Sequence, residues 1–149
     1  IFVAYIVCKE ISDEQYRCLL EFALSYSDLF CVSTFKFHKK DLSPTYFDFF
    51  ETAVPSEVDQ YECKKLPQHY EKGQKFRVFR LNSSNKKFIA QRRSFWEWSL
   101  PDLPEDLSFL KDKKVWLNCI THERMVIIDT NDDVVYSFID RLGIQLRKM

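Results

Sequence analysis

Only two of the 149 residues are glycine, Gly73 and Gly143, and they lie far apart in the chain. Loops that cradle phosphates, and the turn that seats a dinucleotide, need several closely spaced glycines so that backbone can approach the ligand. P-loop nucleotide hydrolases and Rossmann dehydrogenases are therefore excluded. The same scarcity removes the Gly-x-Ser-x-Gly elbow of the α/β-hydrolases.

The residues that remain build cores. Fourteen Phe, seven Tyr and three Trp stand in a chain that is 46% hydrophobic with a net charge of zero, which excludes disordered and collagen-like classes. A chain of this length hides about two-thirds of its unfolded surface, so one domain is expected over residues 1–149. The cysteines (8, 18, 31, 63 and 119) are odd in number and contain no CxxC pair, unlike a secreted disulfide framework. Together with His38, His69 and His122 they never reach zinc-finger spacing. No metal or other cofactor is expected, and reduced thiols in a cytoplasmic protein are the plainest reading. Cys8, Cys31 and Cys119 read as small core residues, while Cys63, before Lys64 and Lys65, is the thiol whose acidity nearby positive charge would raise. Ile1–Cys8 is apolar but far short of the roughly 20 residues that cross a bilayer, and it lacks a basic leader, so no membrane partner is expected.

The apolar pattern orders the elements. Ile1–Val7 reads as a buried strand, and Ser12-Asp-Glu-Gln15 as a capping box opening a helix over residues 13–29. Cys31–Phe37 alternates as a second strand, a natural neighbour of the first. Ser43-Pro44 opens a short helix that ends before Pro55. Residues 56–73 are polar and irregular. Lys75–Asn82 reads as a strand, Ser83-Ser-Asn85 as a turn and Lys86–Ala90 as a returning strand. Val115–Ile120 and Met125–Asp129 form a hairpin joined by Thr121-His-Glu-Arg124, and a last helix is capped by Asn131 and closed by Gly143. This order predicts an α+β fold, a mainly antiparallel sheet with helices packed on one face.

Charge is segregated although it sums to zero. Six acids and no base fall between Asp41 and Glu62, whereas ten bases and Glu71 alone fall between Lys64 and Arg93. Lys64, Lys65, Lys75, Arg77, Arg80, Lys86 and Lys87, with Phe76, Phe79, Phe88 and Phe95 interleaved among the bases, are a candidate nucleic-acid surface. The alternative is that the strand buries its phenylalanines and the acidic segment neutralises the basic one in space. In Phe95-Trp-Glu-Trp98 an extended backbone would put Trp96 and Trp98 on one face, rimmed by Arg92 and Arg93, as a partner-binding patch or as a lid over the core. His122, with Asp102, Glu105 and Asp106 upstream, holds the raw material of acid–base chemistry. The competing reading makes His122 and Glu123 an exposed turn and Glu105 and Asp106 first-turn acids of a helix after Pro104. Asp129-x-Asn131-x-Asp133 with Asp140 has calcium-loop spacing, but Val134 replaces the glycine such a loop requires.

Leu103-Pro-Glu-Asp-Leu107, Val115-Trp-Leu117 and Thr121-His-Glu123 together resemble, over residues 95–130, an arrangement in small uncharacterised bacterial proteins. The resemblance implies a bacterial, cytoplasmic α+β protein and carries over no activity. With no complete catalytic signature, the leading expectation is a non-catalytic, immunity-type or regulatory domain. It would bind another protein, or a second copy of itself, through Arg92, Arg93, Trp96 and Trp98. Nucleic-acid binding through residues 64–93, and a hydrolase or nuclease built on His122, are the alternatives.

Overall fold

The computed structural model describes residues 4–8, 10–59, 63 and 74–149. Its elements run β1 (Ala4–Val7), α1 (Asp13–Tyr26), β2 (Leu29–Thr34), α2 (Pro44–Ala53), β3 (Glu57–Val58), β4 (Lys75–Arg80) and α3 (Ser83–Ala90). They continue with β5 (Glu105–Lys111), β6 (Lys114–Ile120), β7 (Met125–Asp129), α4 (Asp133–Arg141) and β8 (Leu146–Lys148). The strands form one eight-stranded sheet in the order β3–β4–β2–β5–β6–β7–β1–β8. Every neighbouring pair is antiparallel.

The two-residue period of the strands sorts the core. Phe30, Val32, Phe79, Leu107, Phe109, Leu117, Val126 and Ile128 meet the stripes of all four described helices, among them Leu19, Leu20 and Ala23 of α1, Phe49 of α2, Ile89 of α3, and Val135 and Ile139 of α4. The chain is thus α+β with helices packed on one face of an antiparallel sheet. On the other face Leu29, Cys31, Val78 and Leu110 form a smaller cluster, with Val58, Cys63 and Val115 against it. Burial pushes the Cys31 thiol up to about 12 and raises Cys119 as well, whereas Cys8, expected in the core, is exposed.

Local chemistry fixes the helix starts. Ser12 and Gln15 exchange the expected pair of capping bonds, 3.1 and 2.8 Å. α1 nevertheless ends at Tyr26 rather than residue 29. Leu29 is already paired with Arg80 and Leu110, so sheet pairing overrides the helical stripe. The N-cap of α4 is Asp132 rather than Asn131: Val134 donates its N–H to Asp132 Oδ1 and the Tyr26 hydroxyl donates to Oδ2. Those bonds, the Tyr26 one foremost, hold the Asp132 carboxyl below its ordinary 3.8. Gly143 takes φ +76 just past the helix end, where a side chain would be strained.

Three expectations give way. β1 and β2 are not neighbours; they run parallel with β5, β6 and β7 between them, the helical crossover α1 joining them. Residues 83–90 are helix α3, not a turn and strand, because Asn82 and Asn85 cap each other reciprocally at 2.9 Å. The strand expected at 86–90 is supplied instead by β5, whose Pro-Glu-Asp opening imitates a helix start while Leu107 and Phe109 alternate toward the core.

Asn85 is fully buried, and its side-chain amide donates to the Arg80 carbonyl at 2.7 Å and to Ser56 Oγ at 3.1 Å. Asn85→Ala strands these acceptors, and we expect it to lower stability by about 2–3 kcal/mol in urea unfolding. A loss of only a few tenths would remove the amide from the set of bonds that hold α3 to β4.

A buried glutamate and an exposed histidine share a cleft

Pro104 closes a loop and β5 begins at Glu105, but not in regular register. Cys31 pairs with Ser108 and Ser33 with Glu105, so three residue steps on β5 face two on β2. The extra residue makes a bulge, the device by which strands re-aim a side chain. Asp106 sits there at φ +58, a left-handed conformation that costs a non-glycine residue roughly 1–2 kcal/mol. Its carboxylate offsets part of that cost by accepting the Thr121 N–H at 2.8 Å. The Thr121 hydroxyl donates in turn to the Trp98 carbonyl at 2.9 Å. The loop before β5, the start of β5 and the 3₁₀ turn Thr121–Glu123 are thereby fastened together.

The same fastening brings Glu105 under His122. Glu105 is 4% exposed and accepts the Leu100 N–H through Oε1 at 3.2 Å. The Nε2 of His122, whose side chain is 77% exposed, stands 3.5 Å from that oxygen. Above them opens a cleft of about 450 Å³, lined also by Phe35, Phe37, Asp41, Leu100 and Pro101. The Leu100–Pro101 peptide is cis. Phe37 was expected to continue the second strand; β2 stops at Thr34, and the ring is 51% exposed at the cleft. Sequence reasoning missed Phe35, Phe37, Asp41 and Pro101, because strand alternation explained the phenylalanines and nothing in one dimension joins residue 37 to residue 122.

Of the acids considered with His122, Glu105 alone meets it. Asp106 is turned to Thr121, and Asp102 is exposed and does not line the cleft. Glu105 and Asp106 are not first-turn acids, since a strand begins there. The two tryptophans part company as well. Phe95–Glu97 is a 3₁₀ turn capped by Ser94, so the two-residue repeat of an extended segment is lost. Trp98 is fully buried against Phe49, ring centroids 5.4 Å apart, and is a core residue rather than a surface contact. Trp96 stays half-buried, with the Arg124 guanidinium 5.6 Å from its ring and Arg124 bonded to Glu10 at 3.1 Å. Arg92 lies over the Phe88 ring at 4.5 Å, and exposed Arg93 donates its backbone N–H to Glu97.

Among the described residues, the basic side chains of this set divide between the two sides of the sheet. Lys64 and Lys65 lie outside the described residues. Arg77 shares the helix-side face with Lys75 by strand alternation, makes a two-bond pair with Glu57 at 2.8 and 2.7 Å, and rests over Phe50. Arg80 points to the opposite face, and Lys86 and Lys87 are on α3. Phe76, Phe79 and Phe95 are buried and offer no surface for stacking bases.

No family model matches the chain, and neither do any curated protein or solved structure. The chemistry of the site therefore rests on its own geometry. A buried carboxylate beside an imidazole is the orienting half of an acid–base assembly, and an aromatic-walled cleft is also a docking pocket. Among the described residues no cluster of three or more His, Cys, Asp or Glu is disposed to hold a metal ion.

Asp106→Val would place a β-branched residue at φ +58 and remove the acceptor for Thr121. We expect it to cost about 2–4 kcal/mol in chemical unfolding, with Asp106→Asn close to neutral because Asn tolerates that conformation and keeps the acceptor. Equal effects from the two variants would show that the bulge does not need this side chain.

Proposed function

We propose that this is a small bacterial, cytoplasmic, non-catalytic domain, of immunity or regulatory type, that docks another protein over the Glu105–His122 cleft. The observation that carries the reading is Phe37. A large aromatic ring more than half exposed beside an open cleft is the kind of anchor in which binding energy concentrates. The turn after β6 extends the surface, since it carries both His122 at the cleft and Arg124 over Trp96. Aromatic and arginine side chains are enriched in such contacts. The partner-facing set on this reading keeps Trp96, replaces Trp98 with Phe37, and gains Arg124. No described helix is long and apolar enough to cross a membrane.

The test is capture by the tagged chain from host lysate, with and without nuclease, alongside Phe37→Ser. A stoichiometric protein should survive nuclease and be held at least about tenfold more weakly by the variant, which should fold normally because the ring is exposed. A partner retained equally by the variant, or lost only on nuclease treatment, would overturn the reading.

One observation favours a second reading, a hydrolase: the 3.5 Å approach of Glu105 to His122. On that reading ester or phosphodiester probes should be turned over, and His122→Gln should reduce the rate by about 100-fold or more. Identical rates in the native chain and the variant would leave the pair with a binding role only.

A further inference from the structure

The lining of the cleft restricts what a docking partner can offer it. Among the described residues its ionisable groups are two carboxylates, Asp41 and Glu105, and the imidazole of His122, beside Phe35, Phe37, Leu100 and Pro101. Of the turn Lys39–Asp41, only Asp41 lines the cleft. Resting on the reading of the chain as a protein-recognition domain, we propose that the cleft receives an arginine side chain of the partner. The guanidinium would sit toward Glu105 and Asp41, and its stem would lie along Phe35, Phe37 and Pro101.

Charge and shape select this group over the alternatives. An anionic side chain would meet two carboxylates. An apolar one would strip water from them and return no hydrogen bond. A lysine ammonium is compact and strongly hydrated, and gains less from aromatic walls. A guanidinium is planar and weakly hydrated, stacks on rings, and offers paired N–H donors that match a carboxylate. His122 does not block the approach. Its side chain is mostly exposed, so the imidazole can turn outward from the Glu105 oxygen beside it as the guanidinium arrives.

The experiment uses the whole chain and three small probes, the N-acetyl N-methylamides of arginine, lysine and citrulline, titrated by NMR. Citrulline has the shape of arginine without its charge. The arginine probe should shift the Phe37 and His122 signals saturably and bind about tenfold or more tighter than the citrulline probe, with lysine weaker than arginine. Glu105→Gln should weaken binding strongly. Because Glu105 is buried and its variant could disturb folding, exposed Asp41→Asn provides the independent control and should also weaken binding. Equal binding of arginine and citrulline, absence of saturable shifts, or indifference to Asp41→Asn in a folded chain would each overturn the inference. If the arginine probe fails while Phe37→Ser still releases the captured protein, only this inference falls. A partner indifferent to Phe37 removes the recognition reading whatever the probe does.

Discussion

The bond from the Thr121 N–H to the Asp106 carboxylate is where the architecture of this protein and its candidate site meet. It joins a bulge in a central strand to the turn of a neighbouring hairpin. Without it, the left-handed backbone at Asp106 would be strain without return, and the register that aims Glu105 into the cleft would lose its reason. The Thr121 hydroxyl extends the connection to the Trp98 carbonyl, so the Pro-rich loop is held before it by a backbone carbonyl and after it by the Asp106 carboxylate. Strain held in place by surrounding hydrogen bonds is a recurring property of sites that must keep a geometry.

What the sequence made legible was whatever depends on local periodicity and capping. The α1 capping box, the proline at the start of α2, the β6–β7 hairpin and the glycine after α4 stand where their residues announce them. The overall class followed because apolar stripes must be buried against something. The failures are also physical. Asn82 and Asn85 form a capping box from residues that equally make turns, and only the burial of Asn85 decides between the two. Glu105 and Asp106 look like helix-opening acids, and sheet pairing overrides that preference.

The candidate site was half legible. The Leu-Pro-Glu-Asp-Leu and Thr-His-Glu segments stood out in one dimension, and in space they touch twice, through Glu105 with His122 and through Asp106 with Thr121. The other wall of the cleft comes from residues 35–41, which have no motif. The segregated charge likewise had a structural use, since Glu57 of the acidic stretch grips Arg77 of the basic one and leaves its guanidinium over Phe50. The charge pattern itself was plain in the sequence; the partners it would find were not.

The place of β1 in the sheet bears on how the chain comes together. Its neighbours are β7 and β8, and the Met149 N–H donates to the Ala4 carbonyl at 3.0 Å. β1 therefore has no pairing partner until the distant β7 and β8 exist. Meanwhile the β2–β4–β5–β6 portion can assemble on α1 and α2 from segments already available. Contacts between such distant positions slow folding, because the loop they close is long. During that interval β1 presents both of its edges, and its apolar residues, to whatever else is in solution. Closure of the sheet around β1 thus waits on segments far along the sequence.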